Sequence, residues 1–218
     1  MVQRQLKNNF KEIGFQVDGK IINELSKQVS SHLFALGELM KNSYDAKATK
    51  INIVFDKKNK QLIVEDNGTG ISEENFKSLL HIAKSGKEYG REFEFREGEK
   101  TITRYTQGSK GLGLFCAFKF GDLVTWDTMF EGGSYKITVN KAEIIKLSDI
   151  SKIKIPLEAG NRVFQGTTIT ISFELDSEIN YIYSFFLEGE NSKKIVKYFY
   201  AEDMEVSINL INKDGNSA

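Results

Sequence analysis

Glu38, Asn42 and Asp45 stand four and then three residues apart, the spacing at which helical side chains fall on one face at about 100° per residue. A carboxylate, an amide and a second carboxylate stacked this way have two readings. They form a solvated polar face, or they do chemistry. In the second reading Asn42 offers an oxygen to Mg²⁺, a hard cation that takes oxygen ligands. Glu38, one turn earlier, then polarises an attacking water as general base.

Two further groups bear on the choice. Gln61-Leu62-Ile63-Val64-Glu65 reads as a strand that ends in Asp66-Asn67-Gly68-Thr69-Gly70. Leu62, Val64 and Asp66 alternate onto one face, which places the Asp66 carboxylate at the edge of the core, where it needs a partner. The exocyclic amine of a purine is a suitable donor; an ordinary turn at Asn-Gly is the plainer reading. Gly108-Ser109-Lys110-Gly111-Leu112-Gly113 then runs into the apolar Leu114-Phe115-Cys116-Ala117-Phe118. Three glycines before a helix let backbone N–H groups approach an anion at its N-terminus. Lys110 is either a phosphate contact or a solvated loop lysine. The run is neither a P-loop nor a dinucleotide fingerprint, since no Gly-Lys-Ser/Thr follows and no strand immediately precedes. Gly166-Thr167 opens a threonine-rich strand.

The elements that must carry these residues follow from periodicity. Ile22, Leu25, Val29, Leu33, Leu36 and Met40 form one apolar stripe, which predicts a single helix over about 22–46. Strands are expected at 50–56, 60–65, 123–130, 134–140, 167–174 and 205–211. Helices are expected after Ile71 and over 110–120, 179–187 and 193–200. Residues 86–107 form a charged, glycine-punctuated stretch with no assigned element. The fold class expected is α/β: a two-layer sandwich of a mixed β-sheet with helices on one face. The chain of 218 residues fits one sizeable domain, with a core over about 22–175 and C-terminal helices and a strand over 176–212. Lys213-Asp214-Gly215 after the last strand suggests the N-terminal part of a longer protein.

Composition narrows the function classes. Lysine plus arginine equals aspartate plus glutamate, 30 against 30, so charge does not indicate a nucleic-acid partner. The single cysteine, Cys116, excludes an internal disulfide. No apolar run reaches membrane-spanning length, and a cytoplasmic location is the default. His32 borders the apolar stripe and reads as a packing residue. His81 receives no catalytic role, and no Cys/His cluster supports zinc.

Taken in order, the motifs resemble those of the GHKL superfamily of ATPases, named for gyrase, the heat-shock chaperone, histidine kinases and MutL. Glu38-Leu-Met-Lys-Asn42-Ser-Tyr-Asp45-Ala46 is similar to that superfamily's asparagine box. Asp66-Asn-Gly68-Thr-Gly70 resembles its adenine-binding motif, and the run from Gly108 to Gly113 its second glycine box. Gly166-Thr167 resembles the late threonine that supports the adenine-contacting aspartate. The resemblance implies the Bergerat ATP-binding fold, with ATP and Mg²⁺ held beneath a lid. It makes Glu38 the general base and Asn42 the Mg²⁺ ligand, with Asp45 in the same nucleotide-binding box. Asp66 becomes the adenine reader. Gly68 and Gly70 shape the adenine end, and Gly108, Lys110, Gly111, Leu112 and Gly113 wrap the phosphates. Thr167 sits behind Asp66. His81-Ile-Ala-Lys84-Ser85-Gly86 resembles a segment of the large heat-shock chaperone, where the lysine approaches phosphate, and so nominates Lys84 and Ser85. Asn-Ser-Tyr-Asp-Ala is the pattern of the hydrolytic, chaperone-like or MORC-like branch. The resemblance implies Mg²⁺-dependent hydrolysis that drives lid closure and a nucleotide-dependent homodimer. A histidine-type kinase domain and a nucleotide sensor with little turnover are the alternatives.

Overall fold

The structure is a computed structural model that describes residues 16–81, 88–108, 111, 113–151 and 153–217. Lys84, Ser85, Lys110 and Leu112, four of the expected nucleotide contacts, lie outside the described residues. The elements in chain order are α1 (Lys20–Gln28), α2 (His32–Asp45), β1 (Lys50–Asp56), β2 (Gln61–Asp66), α3 (Glu73–Leu79), β3 (Glu92–Glu97), β4 (Lys100–Tyr105), α4 (Gly113–Phe118) and β5 (Leu123–Phe130). They continue with β6 (Gly133–Asn140), α5 (Lys141–Ile144), β7 (Glu158–Ala159), β8 (Gly166–Ser172), α6 (Asp176–Leu187), α7 (Gly189–Ser192), a 3₁₀ turn (Lys193–Lys197) and β9 (Glu205–Ile211).

Seven strands form one sheet in the order β7-β6-β5-β8-β2-β1-β9. Its pairings are antiparallel except β1 with β9, which run parallel along their whole length. The sheet is therefore mixed, as expected, and the segment after residue 175 supplies one of its strands. Alternation decides which face is covered. Ile51, Ile53 and Phe55 of β1 are buried, as are Leu62 and Val64 of β2, Val124 and Trp126 of β5, and Ile169 and Ile171 of β8. The register sets them side by side, Val64 opposite both Ile53 and Ile169, and Ile169 opposite Trp126. Leu36, Leu39 and Met40 of α2 and Phe115 and Phe118 of α4 complete the core from the helical layer. The other face is polar: Asn52 Oδ1 accepts from Ser207 Oγ at 3.0 Å and from Asn209 Nδ2 at 2.6 Å.

The single long helix expected over 22–46 is two helices. Val29 turns extended, with ψ 114°, and the Ser31 hydroxyl accepts from the Phe34 amide at 3.0 Å. A serine that caps a new helix competes with continuation of the old one. The apolar stripe persists across the break, and Ile22, Val29, Leu36 and Met40 are all buried.

The charged stretch also has structure within residues 88–108. β3 and β4 form a two-stranded hairpin apart from the main sheet, with Phe93 opposite Arg104 and Phe95 opposite Ile102. Its anchor is an arginine: Arg104 is 1% exposed. Nε reaches Asp203 Oδ2 at 2.5 Å and Nη1 reaches the Tyr44 carbonyl at 3.0 Å. The guanidinium also stacks between the Tyr44 and Phe95 rings, 4.2 and 4.8 Å from their centroids.

Candidate functional site

The site grows from α2. Alternation along β2 points Asp66 to the covered face, and α2 crosses above that strand end. Asp66 is buried, and its oxygens are met by three donors. Oδ1 accepts from the Gly68 amide at 2.9 Å and the Thr167 amide at 3.2 Å, and Oδ2 accepts from Ser43 Oγ at 2.9 Å. Burial pushes the Asp66 carboxyl above its usual range. The amides of Gly68 and Thr167, the Ser43 hydroxyl and the Arg162 guanidinium each pull it back.

A carboxylate offers about four acceptor positions, so three internal donors leave room for roughly one more. That remaining capacity suits a single ligand N–H, such as one from the exocyclic amine of a purine. Thr167 lies directly opposite Asp66 in the β2–β8 register and opposite Thr128 in β5–β8. Thr128 Oγ1 donates to the Gly166 carbonyl at 3.0 Å and accepts from the Ile71 amide at 2.9 Å, which ties the loop after Gly70 to the same row. Gly166 requires its glycine: φ is +126°, and a Cβ there would lie 2.1 Å from the Asp66 carbonyl oxygen. Gly70, at φ +79°, abuts the Met129 carbonyl in the same way, with 2.2 Å to a built Cβ.

The far end of α2 receives the glycine loops. Thr69 N donates to the Ala46 carbonyl at 2.7 Å. Asp45 accepts from the Gln107 amide at 2.8 Å and the Gly108 amide at 2.9 Å. Asp45 therefore grips the start of the second glycine loop through its backbone. Gly113, at the end of that loop, opens α4 against Asn42: a Cβ on it would lie 3.0 Å from Asn42 Nδ2. The cradle that the missing side chain leaves keeps the Asn42 amide clear, and one oxygen ligand beside substrate phosphates is the donor set Mg²⁺ takes. Glu38 lies one turn earlier, 9% exposed, with Lys41 Nζ 2.7 Å from its Oε1.

The structure thus brings Glu38, Asn42, Asp45, Asp66, Gly68, Gly70, Gly108, Gly113 and Thr167 around one helix, with Gly111 in the intervening loop. Ser43, Lys41, Thr128 and Arg162 join them unannounced by the motifs. Arg162 donates from Nη1 to Glu65 Oε1 at 2.8 Å and to Thr168 Oγ1, and from Nη2 to the Asp66 carbonyl at 3.1 Å. Only the 3.6-residue period of α2 and the two-residue period of β5 hint at Ser43 and Thr128. His32 packs between the Phe120 and Tyr181 rings, at 5.3 and 6.0 Å. Burial, then the neighbouring Lys119 charge, lowers its pKa.

A mixed sheet covered by helices on one face, with α2 lying over the strand end that carries Asp66, is the two-layer ATP-binding fold expected from the sequence. The family model described as histidine kinase-, DNA gyrase B- and HSP90-like ATPase matches residues 29–168. The chain belongs to that family. The chaperone protein HtpG of Rickettsia canadensis is 28% identical over 169 residues, 77% of this chain and 25% of its own. HtpG of Mesorhizobium japonicum is 30% identical over 182 residues, covering 78% and 25%. The chain spans about a quarter of the length of these curated relatives. Among solved structures, the N-terminal domain of a DNA repair protein superposes with a TM-score of 0.54 at 20% identity, over 91% of this chain and 54% of that one. No helix among the described residues is long and apolar enough to cross a membrane.

Proposed function

We infer that the chain binds ATP with Mg²⁺ at the α2 face and hydrolyses it. The observation that carries this reading is the shared helix. Ser43 fixes the buried Asp66 that would accept the adenine amine, while Asn42 and Glu38 stand about one and two turns before Ala46, the residue that caps the same helix. Asn42 would hold Mg²⁺, which neutralises charge on the transferring phosphoryl group. Glu38 orients and deprotonates the attacking water, and Asp45 shapes the loop that wraps the phosphates. Thr167 and Gly68 hold Asp66 in place.

The reading extends to a homodimer that closes on nucleotide in the whole protein, as the resemblance implies. Sedimentation with and without a non-hydrolysable ATP analogue checks it, and an unchanged mass removes that extension.

The deciding experiment compares parent and Glu38→Ala for phosphate release and ATP binding in parallel. A general base contributes about 10²–10⁴-fold, so turnover should nearly vanish while affinity stays. Equal turnover in the two proteins would remove Glu38 from the chemistry. Loss of binding and turnover together would assign it a structural role.

A further inference from the structure

The ion pair between Glu38 and Lys41 is sheltered in a way that most pairs among the described residues are not. Their side chains are 11% and 22% exposed and 2.7 Å apart, whereas Lys27–Glu24 on α1, with the same i,i+3 spacing, is 63% and 60% exposed. Both charges lie within electrostatic reach of α4, at Cys116. The Cys116 thiol there is pushed up to about 12, first by burial and next by the Glu38 charge, with Lys41 pulling the other way. Asn42 follows Lys41 directly and meets α4 at Gly113. The pair therefore lies in the seam between α2 and α4, where the glycine loop ends.

A glutamate that must aim one lone pair at a water has three rotatable torsions to fix. An ammonium on one carboxylate oxygen removes much of that freedom and leaves the other oxygen to accept the water's proton. The Lys41 contact is to Oε1, so Oε2 is the oxygen left for the water. We propose that Lys41 is a positioning residue for hydrolysis, holding the Glu38 carboxylate in its working orientation from within the same helical turn. This rests on the reading of Glu38 as the general base. An i,i+3 ion pair also steadies a helix, and that plainer role makes a different prediction.

The test is a double-mutant cycle with Lys41→Met, Glu38→Gln and the double variant, measured by single-turnover hydrolysis with protein in excess over labelled ATP. Lys41→Met should slow hydrolysis about ten- to a hundredfold, the scale of a displaced catalytic group, and leave ATP and ADP affinities unchanged. Lys41→Arg, which keeps the charge, should recover most of the rate. In the Glu38→Gln background Lys41→Met should have no further effect, because the lysine acts through the carboxylate. Additive losses, or a parallel fall in ATP affinity, would overturn the proposal and give Lys41 a separate contact with nucleotide. A Lys41→Met protein that hydrolyses ATP at the parent rate leaves only the helix-steadying role. Failure of the underlying reading looks different: the parent and Glu38→Gln would then turn over equally, whatever Lys41 does.

Discussion

Ser43 Oγ donates to Asp66 Oδ2 at 2.9 Å, so the last turn of α2 holds the last residue of β2 by a buried hydrogen bond. The bond joins the element that would handle phosphate to the element that would read the base. It also makes Asp66 costly, since a carboxylate buried this way must remain ionised at neutral pH to serve as acceptor.

Asp66→Asn separates that cost from function. The asparagine oxygen can accept from Gly68 and Thr167 as before, and its amide can donate to a rotated Ser43 hydroxyl. The fold should survive, while the adenine amine meets a donor and ADP affinity falls by about 1–3 kcal/mol. The pH dependence has a definite sign. Folding raises the Asp66 pKa above 3.8, so the parent loses stability as pH rises from 3.8 through the folded value. The variant has no such loss. Its melting temperature relative to the parent should rise across that window and then level off. A difference, variant minus parent, that stays constant or falls across that window contradicts this account.

Gly113→Ala addresses the metal. A methyl group there lies 3.0 Å from Asn42 Nδ2, tighter than ordinary contact, so the Asn42 amide must move. Alanine favours the helix over glycine by about 1 kcal/mol, so stability should hold or improve. Mg²⁺ should nevertheless strengthen ATP binding less in the variant than in the parent, as in Asn42→Ala. Calorimetric titration with and without Mg²⁺ decides, and full Mg²⁺ dependence in both variants would move the ligand elsewhere.

Arg104→Ala should free the hairpin. The arginine side chain is wholly buried, and Asp203, its partner, is 32% exposed, so the loss is about 1–3 kcal/mol and below that of a fully buried pair. Hydrogen exchange in residues 92–105 should accelerate more than in β1 or β5. Uniform acceleration across the chain would mean that the arginine serves global stability alone.

Cys116 gives a chemical readout of the α2–α4 seam. With its thiol pushed up to about 12, only about one molecule in 10⁴ carries a thiolate at pH 8. Alkylation by iodoacetamide should be negligible in the native protein and complete in denaturant. Rapid native labelling would show that the seam opens.

The sheet was legible because its alternation is clean. Ile51, Ile53 and Phe55 mark β1 without ambiguity, and β5 and β9 begin and end where the pattern does. The helix break at residues 29–31 was not, since the apolar stripe runs through it and only the Ser31 cap interrupts. The β3–β4 hairpin was missed for another reason. Its inward face holds two phenylalanines, one isoleucine and an arginine, and a buried arginine reads as surface until Asp203 is seen beside it. In the site, α2 displayed Glu38, Asn42 and Asp45 by spacing alone. Ser43, Thr128 and Arg162 act across 23, 57 and 96 residues of chain, distances over which no local pattern speaks.

The parallel pairing of β1 with β9 has a consequence for synthesis. The partners lie about 155 residues apart, so β1 leaves the ribosome long before β9 exists. At roughly 5–20 residues per second that interval is about 8–30 s. During it the strand bearing Ile51, Ile53 and Phe55 has a bare hydrogen-bonding edge, the feature by which nascent chains recruit one another. Translation speed over residues 57–204 therefore sets how long the newborn protein is sticky, and slowing it should raise the share lost to aggregates.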